Sequence, residues 1–190
     1  MTFDFAAARQ NMVDSQVRTS DVTDHTIIDA MRLVERERLC PPARQALAYA
    51  DTEVPCGGGR HLMRPRETAK LLQALRPKAG ERALAIAAPY AAAVLEAMGV
   101  GVDRLDDGDI SSPRGSGYDL IVCEGAVSSA PPAWLDALGP GGRLAIVERN
   151  GPVGQARLYA RAERGVGVRT LFDATPPVLP GFEAKPEFAF

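Results

Sequence analysis

The stretch Glu81–Gly99, ERALAIAAPYAAAVLEAMG, reads as a strand, a tight turn and a helix. Arg82 to Ala87 supplies the apolar strand, Tyr90 to Met98 the helix, and Gly99 its stop. Such a unit ordinarily cradles a nucleotide-like ligand with the backbone of the turn, where glycines allow a sharp bend and close approach. Here the turn is Ala87-Ala88-Pro89-Tyr90, without a glycine. The strand ends in Leu84-Ala85-Ile86, with no carboxylate, and Pro89 removes an N–H donor where such a site uses one. The frame of a cofactor site is there without the chemistry that fills it.

On the N-terminal side the pattern is helical. Ile27, Ile28, Met31 and Val34 repeat at helical spacing behind a Thr/Asp cap, and the helix is expected to end near Cys40-Pro41-Pro42. Pro42 to Ala50 reads as a shorter helix, and Val54 to His61, with three consecutive glycines, as a flexible loop. Thr68, Leu71, Leu72 and Leu75 form one face of a further helix that stops at Arg76-Pro77-Lys78-Ala79-Gly80. On the C-terminal side the period changes. A short strand near Val102–Leu105, a strand Tyr118–Cys123, a helix Pro132–Leu138 and a strand Arg143–Glu148 continue the alternation of a helix-covered parallel sheet. Gln155–Glu163 and Val166–Phe172 read as an antiparallel hairpin, and Pro176–Phe190, with four prolines, as irregular extended chain. The expectation is one α/β domain over 1–190, with a helical cap in 1–80 and a Rossmann-like core in 81–190.

Composition excludes several function classes. A net charge of -2 leaves no electrostatic footprint for nucleic acid or an anionic membrane. The longest weakly polar run, Ala83–Val102, is broken by Pro89 and Gly99 and carries Glu96, so it does not read as a membrane span. The N-terminus carries Asp4 and no continuous apolar core, unlike a secretory signal. Cys40, Cys56 and Cys123 fit neither a disulfide framework nor metal spacing, and a reducing cytoplasm is the expected location.

The segments NMVDSQVRTSDVTDHTIIDAMRLVERERLCPP, GGGRHLMRP, the strand-turn-helix, YDLIVCEGAV, GPGGRLAIV and the closing hairpin, in this order, resemble the protein-L-isoaspartate O-methyltransferase family. The resemblance implies a Rossmann-like class I methyltransferase sheet, S-adenosylmethionine as methyl donor, and isoaspartyl side chains of damaged proteins as acceptors. It also implies a glycine-rich donor loop after an acidic strand end, and these positions fall on Ala85 to Tyr90. Only Tyr90 matches. Each lost charge-assisted contact to the donor's charged groups is worth roughly 1.5–3 kcal/mol.

Two further departures follow from the same comparison. About thirty residues separate the first strand from Tyr118, too few for the family's intervening strands and helices, so the sheet is expected to be reduced by about one βα unit. Asp106 or Asp107 is then the candidate for the ribose carboxylate, or Asp109 for the adenine contact, against the plain reading of Asp103–Asp109 as a solvated acidic loop. The family's acceptor loop lands on Gly59 to Pro65 and puts Met63 in place of a serine hydroxyl, a thioether that donates no hydrogen bond. Gly59, Arg60 and His61 remain as acceptor-loop candidates, with Arg64 as a further cation.

Glu124, at the carboxyl end of a central strand, is placed where open α/β sheets put ligand groups. Cys123 reads as a small buried strand residue, Trp134 as the inward face of a helix, and His25 as a helix-start residue. Two readings stay open. One is an active methyltransferase whose donor site involves Ala87, Ala88, Tyr90, Asp106 and Glu124. The other, favoured by the departures, is a pseudoenzyme with weakened or lost donor binding and no catalytic residue, which keeps the fold to bind a protein partner. Neither reading calls for a metal.

Overall fold

The computed structural model describes residues 3–184, so Phe188 and Phe190 lie outside the described residues. Helix α1 (Phe5–Met12) starts at Asp4, whose carboxylate accepts from the Ala7 N–H, and continues through a π turn at Val13–Val17. Helix α2 (His25–Leu33) is capped by Asp24, buries Ile27, Ile28, Ala30 and Met31, and ends earlier than its periodicity suggests. The chain there turns into 3-10 segments at Arg36–Leu39 and Pro42–Leu47, the second in place of the expected short helix.

The segment read as a flexible loop is a hairpin, β1 (Val54–Gly57) against β2 (Arg60–Leu62). Gly57, Gly58 and Gly59 all take positive φ at its turn, the one backbone region that side chains resist. Helix α3 (Pro65–Leu75) follows, buries Leu71, Leu72 and Leu75, and stops where Arg76 adopts a left-handed conformation before Pro77.

The core is then laid down as β3 (Arg82–Ile86), α4 (Pro89–Ala97), β4 (Gly101–Leu105), β5 (Tyr118–Val127), α5 (Pro132–Asp136), β6 (Leu138–Glu148), β7 (Gly154–Ala162) and β8 (Gly165–Ala174). The sheet order is β4-β3-β5-β6-β7-β8. Its first four strands are parallel and β7 and β8 close it as an antiparallel hairpin. Between β4 and β5 no helix or further strand intervenes, so the sheet ends at β4, short by the βα unit that residue count removes.

Alternation along the strands divides the core between two faces. Ala83, Ala85, Leu120 and Val122 join the cluster built with α2, α3 and α4. Leu84, Ile86, Ile121, Cys123, Leu144 and Ile146 face the other way, around Trp134 of α5. Thirty-five buried residues of the N-terminal half and the sheet thus share apolar neighbours on the first face, and the cap is continuous with the core that positions the crevice.

Candidate functional site

The carboxyl ends of β3 and β5 form the switch point of the sheet, where open α/β folds bind ligands. β3 stops at Ile86, opposite Cys123, while β5 runs on to Val127. The turn after β3 keeps a glycine-like backbone without a glycine: Ala87 has φ +46°, and its N–H donates to the Leu105 carbonyl at 3.0 Å. Left-handed backbone costs an alanine about 1 kcal/mol. The turn thus holds, with an alanine, a backbone that glycine adopts more easily.

Opposite the turn, Glu124 is fully buried. Its carboxylate accepts from the Tyr90 N–H at 3.0 Å and from the Thr68 hydroxyl at 2.9 Å, with the Ala91 N–H also directed at it. These amides are the open N-terminus of α4, whose partial positive charge favours an anion. Burial raises the Glu124 pKa, and the nearby Arg36 guanidinium and these donors pull the other way. Arg36 is itself fully buried. It donates to the Ala48 and Met63 carbonyls, lies over the Tyr90 ring at 4.4 Å, and leaves one terminal nitrogen without a partner.

The other predicted residues separate into two groups. Ala87, Asp106, Arg60 and His61 come together with Cys56, Pro89 and Asp107 around one cavity of about 220 Å³. That is below the roughly 300–1,000 Å³ usual for small-molecule sites. Asp106 follows directly on β4, faces the Ala88 N–H, and has its pKa raised by burial. Arg60 is already engaged, donating to the Asp106 carbonyl and pairing with Asp107 at 3.1 Å, so the acceptor-type hairpin is clasped to the shortened β4–β5 loop. Arg64 pairs with Glu53 at 3.0 Å. Ala88, Tyr90 and Glu124 are buried beneath the surface and do not line this cavity. Met63 is buried as well, and Asp109 is turned to the Ser111 N–H at 3.0 Å, away from it.

The tail completes the crevice. Ala126 pairs with Val147 of β6 along one edge and forms a parallel bridge to Val178 along the other, so residues 177–179 lie in line with β3, beyond its end. The Ala126 N–H donates to the Pro177 carbonyl at 2.9 Å and its carbonyl accepts from the Leu179 N–H at 2.8 Å. Leu179 covers Gly125, where an added Cβ would lie 2.8 Å from its side chain, and Pro180 meets Gly59, where a Cβ would come within 2.4 Å. Phe182 packs on Trp134 at 5.4 Å. No motif in the extended chain read from Pro176 onward marks this strap. Thr68 did leave a sign: a hydroxyl on the apolar face of α3 needs a buried partner.

A family model described as "Protein-L-isoaspartate(D-aspartate) O-methyltransferase (PCMT)" matches residues 7–105. The chain belongs to the protein-L-isoaspartate O-methyltransferase family. The match ends at the last residue of β4, where the sheet is shortened. The protein-L-isoaspartate O-methyltransferase of Methylorubrum extorquens is 33% identical, over 85% of this chain and 82% of the relative. Protein-L-isoaspartate O-methyltransferase 1 of Rhodopseudomonas palustris is 34% identical, over 84% of this chain and 75% of its own length. The fold matches that of the Plasmodium falciparum β-aspartate methyltransferase (PCMT), solved in complex with S-adenosyl-L-homocysteine, with a TM-score of 0.73 and 15% identity over 94% of this chain and 99% of the other. The α/β, Rossmann-like methyltransferase fold expected from the sequence is therefore the fold of this protein.

Proposed function

We propose that this chain is a protein-L-isoaspartate O-methyltransferase family member with weakened or lost donor binding and catalysis, retained as a single-domain scaffold for a protein partner. The observation that carries this reading is Glu124, whose carboxylate sits on the N-terminal amides of α4. A donor carboxylate drawn to those amides would find them already occupied by the Glu124 carboxyl group. The residues around the crevice do not fit S-adenosylmethionine: β3 ends without an acid, Pro89 has no N–H, and Leu179 and Pro180 pack over Gly125 and Gly59. Of the two candidates for a ribose carboxylate, Asp106 faces the Ala88 N–H and Asp107 pairs with Arg60. The three cysteines are free thiols, in keeping with a cytoplasmic location.

The competing reading is an active carboxyl methyltransferase that repairs isoaspartyl residues in damaged proteins. Ala87 favours it, because its φ of +46° preserves a turn that still presents backbone to a ligand. Calorimetry and thermal unfolding with S-adenosylmethionine and S-adenosylhomocysteine separate the two. A ligand at a hundred times its Kd adds about 2.7 kcal/mol of stability. We expect no such gain and no methyl transfer to an isoaspartyl peptide; micromolar binding or turnover establishes the active reading instead.

A further inference from the structure

The two edges of the sheet are finished differently. β4 is five residues long, and its edge carries the charges of Asp103 and Arg104, a common way of blunting an open strand. β8 is ten residues long and contains neither proline nor lysine. From Gly165 to Asp173 its backbone makes no hydrogen bond, among the described residues, except those of its ladder with β7. Val166 and Val168 on it are 38% and 51% exposed. An edge of this kind is a template for another strand.

Beside this edge runs a groove of about 700 Å³ between β8 and the outer side of α3, floored by Leu171 and Phe172. Lys70, Arg76, Lys78 and Arg169 line it against two carboxylates, Asp21 and Asp24. Asp24 is occupied in capping α2. Among the described residues none of the four cations is in an ion pair, and Lys70 lies over the Phe172 ring at 4.5 Å. The groove is therefore cationic in a chain whose net charge is -2.

We infer that β8 and this groove form a docking surface for an acidic extended segment of a partner protein, which adds as a strand along Gly165–Thr170 and sets its carboxylates against Lys70 and Arg169. The stretch commits to that length because a bulge interrupts the β7–β8 register at Leu171. Charge decides the occupant: a second copy paired along β8 would bring two cationic grooves together, whereas an acidic segment neutralises one. β6 and β7 separate the surface from β5, so it is independent of whether the donor crevice works.

The probe is a fluorescent peptide alternating glutamate and valine, equal in length to β8, with a lysine–valine peptide of the same length as control. The acidic peptide is expected to bind with an affinity that falls as salt rises, and to slow hydrogen exchange at the outward amides of Gly165–Thr170. Lys70→Glu combined with Arg169→Glu is expected to weaken it by at least about tenfold. Equal binding of the two peptides, unchanged exchange in β8, indifference to the double substitution, tighter binding of a single-stranded oligonucleotide, or dimerisation through β8 in light scattering would each overturn the inference. S-adenosylhomocysteine titrated into the same samples reads the crevice separately.

Discussion

The turn after β3 and the middle of β5 face each other across the switch point, and they are built in opposite ways. The turn carries neither a glycine nor an acid, yet Ala87 holds a left-handed backbone. β5 carries a buried carboxyl group with the interior built around it: the Thr68 hydroxyl and the Tyr90 and Ala91 amides are directed at Glu124, and the buried Arg36 guanidinium is nearby. The apolar turn has few polar partners to lose. A buried carboxyl is tolerated only where donors are already fixed, so the two walls should respond very differently to substitution.

The largest effect is expected at the buried carboxyl. Glu124→Ala leaves the α4 amides and the Thr68 hydroxyl without their acceptor, next to a buried Arg36 guanidinium, and should lower stability by about 3–5 kcal/mol in denaturant unfolding. Glu124→Gln, which keeps the shape and one acceptor, should lose clearly less. No loss in Glu124→Gln would mean that the contrast between the walls is one of packing alone, and a loss equal to that of Glu124→Ala would mean that shape and a single acceptor contribute nothing.

Next comes the strap that lies over both walls. Leu179 is 1% exposed, and Leu179→Ala should cost about 2–3 kcal/mol, the lower part of the range for a buried leucine because the strap can settle into the space. Gly125→Ala tests the same contact from below, since its Cβ would lie 2.8 Å from Leu179 at a φ of +137° that alanine resists. Both variants should raise protease sensitivity at residues 175–182 before global unfolding. Equal protection in variant and parent would show that Leu179 does not hold the strap.

A second buried acid, Glu67, sharpens the comparison because it lacks what Glu124 has. One of its carboxylate oxygens is buried without a partner, and burial pushes its pKa up to about 7, against a pull from Arg64. The folded state then holds a proton that the unfolded chain releases at its ordinary value, so stability falls as pH rises from about 4.5 to about 7 and levels off above. Glu67→Gln removes that slope. It should match the parent at low pH and exceed it by about 1–3 kcal/mol above pH 7. Parallel stability curves for the two proteins would show that Glu67 titrates normally.

Much of this architecture was legible because it is periodic. The strand-turn-helix of Glu81–Gly99, the apolar face of α3 and the closing hairpin fall within a residue or two of their sequence readings, and the reduced sheet followed from setting the family resemblance against the few residues before Tyr118. What escaped lacked a local signal. Helix α1 buries only Met12, so no apolar stripe announces it. The β1–β2 hairpin was concealed by three glycines, which its turn requires. Arg36 sits in the charged run VERER, which reads as solvated surface, yet it is fully buried. Glu124 was read as following a strand that stops at Cys123, whereas β5 runs on to Val127 and holds it; its partner Thr68 is 56 residues away, and pattern along the chain does not connect them.

The smallest effect is expected at the turn after β3. Ala87→Gly places at φ +46° the residue that adopts it freely, relieving left-handed strain of about 1 kcal/mol while making the unfolded chain more flexible by a smaller amount. The net should be a gain of a few tenths of a kcal/mol, read as a small rise in the unfolding midpoint without a change in the denaturant slope. Donor binding should not return with it, because the glycine restores backbone freedom and leaves the Glu124 carboxylate on the amides of α4. Detectable S-adenosylhomocysteine binding by Ala87→Gly alone would place the defect in the turn and make the carboxyl on β5 incidental; binding by Glu124→Gln alone would place it in that carboxyl, and binding only when the two are combined would place it in both walls.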